Sequence, residues 1–141
     1  MIREYKETDI ESLLDIWLSA SKIAHDFIEP TFWDSQVENM RNIYIPASNA
    51  FVYEKNSKVV GFYALFKGAL SAIFVKPSFQ RQGIGKQLLN HAKNQSDTLK
   101  LSVYKENTSS YYFYLSQGFV VDCEQIDTHT GHLEYTMSVG T

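Results

Sequence analysis

Apolar residues recur at two different periods along this chain, and the change between them marks out its elements. Ile10, Leu13, Leu14, Trp17 and Leu18 share one stripe at helical spacing. Thr8 and Glu11 read as a capping box at the start of that helix. A short strand over 1–5 precedes it, and residues 24–30, ending in Pro30, break it. A second helix is predicted over 31–44, with Trp33, Val37, Met40 and Tyr44 on its apolar face and Pro46 as its stop. From residue 50 the period falls to two. Strands over 50–54, 59–66 and 70–75, joined by turns at 55–58 and 67–68, make an antiparallel meander. The helix expected over 83–95 places Ile84, Leu88, Leu89 and Ala92 on one side, and an alternating strand over 99–103 follows. That strand–helix–strand order favours parallel pairing of 70–75 with 99–103. A helix over 107–116 ends at Gly118, which suits the position after a helix C-terminus. Strands over 119–126 and 133–139, with a turn at 128–131, close the sheet. The expectation is a mixed α/β layer structure forming a single domain over 1–141.

The stretch between the third and fourth helical or extended segments of that middle region carries the first chemical signal. Ile73-Phe74-Val75 ends a strand, Lys76-Pro77-Ser78 stops it, and Gln80-Arg81-Gln82-Gly83-Ile84-Gly85-Lys86 leads into the next helix. A glycine-bearing basic loop at a helix start presents unpaired N–H groups and a positive dipole end, which suits a phosphate. A P-loop needs four residues between its glycines and then Lys-Ser/Thr; here Ile84 alone separates them and Gln87 follows Lys86. A dinucleotide fingerprint needs a small residue where Leu88 stands. Both are excluded, and from spacing alone an ordinary strand–helix turn remains the competing reading.

Composition narrows the classes. The chain has 141 residues, 44% hydrophobic and 14% aromatic, enough for a sizeable core, and a formal charge of −3. That charge offers no basic field for nucleic acid and suits a cationic substrate. Cys123 is the single cysteine, so no internal disulfide forms and a cytoplasmic setting fits. It is expected as a packed or edge thiol rather than a nucleophile. The N-terminal residues do not read as a signal peptide. Lys67-Gly68 interrupts the longest apolar region, 59–75, which argues against a membrane span. No His, Cys or Asp spacing suggests a metal site; His91, His129 and His132 read as solvated or turn residues.

Gln80-Arg81-Gln82-Gly83-Ile84-Gly85 resembles the Q/R-x-x-G-x-G/A signature of the GCN5-related N-acetyltransferases (GNAT), and Phe113-Tyr114-Leu115-Ser116-Gln117-Gly118-Phe119 resembles the family's F-Y-x-x-x-G-F ending. The likeness covers nearly the whole chain and is greatest to small bacterial members that acetylate amines or protein lysines. It implies the GNAT fold, a central, mostly antiparallel seven-stranded sheet with four helices, in which the strands ending at Val75 and Val103 splay into a V-shaped cleft. It implies acetyl-CoA as cosubstrate, with the main chain of Ile73, Phe74 and Val75 on the pantetheine arm. The N–H groups of Arg81, Gln82, Gly83, Ile84, Gly85 and Lys86 would hold the pyrophosphate. Asn107 would bond the arm, with Ser110 and Tyr111 beside it.

Patterning alone does not choose among Tyr111, Tyr112 and Tyr114; the likeness selects Tyr114 as the general acid. Many relatives carry a glutamate on the strand equivalent to 68–75, whereas this segment has no Asp or Glu. Either an ordered water relays the proton or another group acts, and His25, in the loop bordering the acceptor site, is the leading candidate. Glu54 and Glu134 are fainter ones. The implied function is acetyl transfer to a primary amine, on a small molecule, a protein lysine or an N-terminus, by a monomer or homodimer. The missing strand carboxylate keeps open a non-catalytic acyl-CoA-binding module on the same scaffold.

Overall fold

The computed structural model describes residues 1–140. Its elements run β1 (Ile2–Glu4), α1 (Ile10–Ala24), α2 (Pro30–Asn39), β2 (Asn49–Lys55), β3 (Lys58–Phe66), β4 (Ala69–Val75), α3 (Ile84–Lys93), β5 (Thr98–Tyr104), α4 (Thr108–Ser116), β6 (Val120–Ile126) and β7 (Leu133–Gly140). The seven strands form one sheet in the order β1-β2-β3-β4-β5-β7-β6. Only β4 and β5 pair in parallel, as the intervening α3 requires. The expected mixed sheet with four helices is therefore what the chain builds.

The meander is tighter than its sequence pattern suggests. β2 and β3 are joined by Asn56 and Ser57 alone, and β3 and β4 by Lys67 and Gly68, all four with positive φ. Two-residue loops of that handedness match the twist of the strands they join.

Side-chain alternation sorts the core onto two faces of the sheet. On one face α3 lays Ile84, Leu88, Leu89 and Ala92 against Val60, Tyr63, Leu99, Leu101, Val103 and Met137, with Tyr114 and Phe119 in the same cluster. Gly61 permits this approach: a Cβ there would lie 3.2 Å from Leu88 Cδ1 and 3.2 Å from the Phe74 carbonyl oxygen. On the other face Leu13, Leu14, Ile16 and Trp17 of α1 and Trp33 of α2 cover Val52 and Phe62. β6 is exposed along its whole length at the sheet edge, and Cys123 sits there with Sγ 3.0 Å from Thr136 Oγ1. Among the described residues no helix is long and apolar enough to cross a membrane.

Three local expectations need correction. Thr8 does not cap α1; a 3₁₀ turn, Glu7–Asp9, precedes the helix and Asp9 takes the reciprocal role. Asp9 accepts from the Lys6 amide at 2.8 Å and from both terminal nitrogens of Arg3 at 2.9 and 3.0 Å, which holds its carboxyl below the usual range. Glu11 is left to pair with Arg41 at 2.6 Å. Pro46 does not stop the second helix either: α2 begins on Pro30 itself, and beyond Asn39 the chain stays helical through a π-type turn at Met40–Tyr44 and a last turn, Ile45–Ala47, that contains Pro46. His91 is no solvated residue, because its Nδ1 bonds the buried Tyr63 hydroxyl at 2.6 Å and its ring lies 4.9 Å from Phe51.

Candidate active site

The site begins where the sheet comes apart. β4 is paired to β3 from Ala69 to Val75, but on its other side it meets β5 at Ala69↔Lys100 alone. Beyond that pair no strand among the described residues covers the second edge of β4. Ile73 and Val75 direct their side chains to the α3 face, while Ala72 and Phe74 pack on the α1 face. The main chain of Ile73, Phe74 and Val75 thus lines a gap between strands, the geometry in which an extended ligand can add as a strand. Gln80 Nε2 donates to the Val75 carbonyl at 3.0 Å, so one of the expected main-chain acceptors is engaged by the protein itself.

From Val75 the chain passes through a 3₁₀ turn, Pro77–Phe79, into the glycine loop. Arg81 (φ 64°) and Gly83 (φ 81°) both take the left-handed conformation, and Gly83 immediately precedes α3. A Cβ on Gly83 would meet nothing within 4 Å, so the glycine answers a backbone requirement and the space above it is open. Ile84 is buried and anchors the first turn, whereas Arg81, Gln82 and Lys86 are exposed. The helical ladder starts with Gln87 N–H on the Gly83 carbonyl at 3.1 Å. The amides of Ile84, Gly85 and Lys86 have no intrahelical acceptor and lie at the positive end of α3. Two flanking cations and three free amides make a cradle of the right chemistry for a diphosphate.

Across the gap stands α4. Asn107 caps it, with Oδ1 accepting from the Ser110 amide at 3.3 Å. Ser110 and Tyr111 are half-buried, and Tyr111 stacks near Tyr135 with centroids 5.0 Å apart. The three tyrosines of the helix now separate. Tyr112 is 65% exposed, while Tyr114 is 9% exposed with its ring 5.6 Å from both Phe113 and Phe119. Among the described residues nothing hydrogen-bonds the Tyr114 hydroxyl. Burial raises its pKa, so the phenol keeps its proton across the neutral range.

His25 lies less open than its position in a loop suggests. It follows α1 directly, is buried, and sits among Phe27, Trp33 and Tyr104 at centroid distances of 5.9, 5.2 and 5.1 Å. Its Nε2 is 3.2 Å from Asn107 Nδ2 and its Nδ1 is buried without a partner. Burial pushes its pKa down to about 4. Glu54 is drawn to Arg3 at 3.6 Å, at the far side of the sheet beside β1. Glu134 faces Tyr104 across β5 and β7, and its carboxyl is raised first by burial and then by Asp127. Tyr104 donates to Asp127 in the β6–β7 turn, an association the sequence did not suggest because the alternation of β5 had been ended at Val103. No group of His, Cys, Asp and Glu among the described residues could hold a metal ion.

Known proteins share this plan. The family profile described as an acetyltransferase (GNAT) domain matches residues 46–121. The peptidyl-lysine N-acetyltransferase YiaC of Escherichia coli is 34% identical over 125 residues, covering 87% of this chain and 86% of that protein. The peptidyl-lysine N-acetyltransferase YjaB of Salmonella typhimurium is 30% identical over 121 residues, covering 85% and 83%. The solution structure of apo-form YjaB from Escherichia coli superposes with a TM-score of 0.87 at 24% identity, over 100% of this chain and 98% of that one. The PaiA N-acetyltransferase of Thermoplasma acidophilum, solved in complex with coenzyme A, gives 0.83 at 19% identity over the same shares. Loop, split sheet and relatives agree, and the chain belongs to the GCN5-related N-acetyltransferase family, enzymes whose cosubstrate is acetyl-CoA.

Proposed function

We propose that this enzyme acetylates the side-chain amine of lysine in peptides or proteins, with Tyr114 as the general acid. The acceptor class is supported by YiaC and YjaB, both named peptidyl-lysine N-acetyltransferases, which match most of the chain. The acid assignment rests on one observation above all: a buried tyrosine on α4, packed in the same cluster as Val103 of β5, whose hydroxyl has no hydrogen-bond partner among the described residues. Bound acetyl-CoA supplies an acyl carbon activated as a thioester and a sulfur able to leave. The main chain of Ile73, Phe74 and Val75 aligns the arm, the amides from Arg81 to Lys86 hold the diphosphate, and Asn107, Ser110 and Tyr111 flank it. Tyr114 gives its proton to sulfur as the C–S bond breaks and the C–N bond forms. The proton shed by the amine restores the phenol, so charge balances over one turnover. A free thiol has a pKa of about 8.5, below that of a phenol, so Tyr114 can protonate the sulfur because burial in the same site raises the basicity of the departing thiolate as well.

Thiol release with lysine-bearing peptides, N-terminal amines and small amines tests the acceptor class; lysine peptides should turn over fastest. Tyr114→Phe should lower kcat by about a hundredfold, within the usual range for loss of a general acid, and leave CoA affinity within about twofold. Equal losses in both, or none, overturn the acid role.

A further inference from the structure

We propose that His25 is a positioning residue: it fixes the orientation of the Asn107 amide and thereby ties the α1–α2 loop to the mouth of the acetyl-CoA cleft. The proposal rests on the reading of Asn107 as a residue of the cofactor arm. Its core is a deduction about one amide. Asn107 Oδ1 accepts from the Ser110 amide, which caps α4, so the other end of the side chain must be the NH₂ group. That group faces His25 Nε2 at 3.2 Å. Nε2 therefore accepts, and the ring proton resides on Nδ1. A flipped amide would set nitrogen against the Ser110 N–H and lose the cap of α4, whichever ring nitrogen of His25 carries the proton.

The same geometry argues against proton removal by His25. The Nε2 lone pair is committed to Asn107, and Nδ1 carries hydrogen and is buried without a partner. The ring is wedged among Phe27, Trp33 and Tyr104, which leaves it little freedom to turn toward an acceptor amine. Its neutral state, enforced by burial, keeps Nε2 an acceptor through the working range. Residue 25 and residue 107 are 82 positions apart, and their bond is buried, so it joins two regions that no local sequence rule connects. One Nδ2 hydrogen and one Oδ1 lone pair of Asn107 stay unassigned, which is what a residue bonding the cosubstrate arm needs.

The test is a cycle of full-chain variants, His25→Leu, His25→Gln, Asn107→Ala and the His25→Leu/Asn107→Ala double, read by calorimetry with CoA, by kcat/KM against pH and by thermal melting. His25→Leu leaves the Asn107 amide unpartnered and should weaken CoA binding about tenfold, the scale of one lost buried partner. His25→Gln can place an oxygen near the position of Nε2; it should restore affinity to within about threefold and leave the pH profile unmoved. In the Asn107→Ala background the Leu substitution should cost nothing further. A Gln variant as inactive as the Leu variant, with CoA affinity intact, would show that His25 moves protons and would sink the proposal. Additive losses in the double variant would break the link between the two residues. An Asn107→Ala variant that binds CoA normally would instead overturn the reading of Asn107, and the proposal with it.

Discussion

His25 carries its burial as a measurable pH dependence. Its folded pKa of about 4 lies below the ordinary value of 6.5, and burial is the sole cause. Between those values the unfolded chain binds a proton that the folded chain does not, so stability rises with pH through the window and falls on acidification. Denaturant unfolding at pH 7 and pH 5 should show a loss of about 2 kcal/mol that is absent from His25→Gln. Asp9 and Asp127, both depressed, lose their contributions only at still lower pH, and Glu134, raised, changes in the opposite sense. Equal acid sensitivity in the wild type and the Gln variant would contradict the buried, neutral imidazole.

In the proposed binding mode the glycine loop and α3 hold the diphosphate of the cosubstrate, and substitution at Gly83 separates the backbone demand from the electrostatic one. Gly83→Ala should cost about 1 kcal/mol of stability, because alanine is strained at φ 81° although the space around it is open. Asp tolerates that conformation better than Ala. A much larger loss of CoA affinity in Gly83→Asp than in Gly83→Ala is therefore an effect of charge beside the diphosphate, readable by calorimetry. Equal affinities in the two variants would place the diphosphate elsewhere. This element was plain in the sequence: a strand stopped by proline, two glycines, then a 3.6-residue stripe, all set by neighbours in the chain. The start of α1 was not, because the partner that claims Asp9 is Arg3, on β1, rather than a residue of the helix. His25 was legible as a titratable group but not as a partner of Asn107. Nor did helical periodicity distinguish Tyr114 from its neighbours, since α4 has no distinct apolar stripe, its aromatic and hydroxyl residues lying on every side, and only the packed sheet separates Tyr112 outside from Tyr114 inside.

Taken as one molecule, the protein closes two cores around a sheet that is continuous everywhere except between β4 and β5. Acetyl-CoA bridging that break should stabilise the whole fold, by about 2.7 kcal/mol at a hundredfold excess over Kd, seen as a rise in Tm. Amide exchange should slow most within Ser71–Val75. Protection spread evenly over all strands, with none concentrated there, would argue against binding along the edge of β4.

An edge left bare in the middle of a sheet has a cost outside catalysis. Unsatisfied main-chain groups are templates for any extended segment, including one from a neighbouring polypeptide. In the binding mode proposed above, the cosubstrate itself would cover that template. The enzyme without cosubstrate is therefore expected to associate more readily than the enzyme saturated with CoA, and light scattering of the two forms at equal protein concentration checks this.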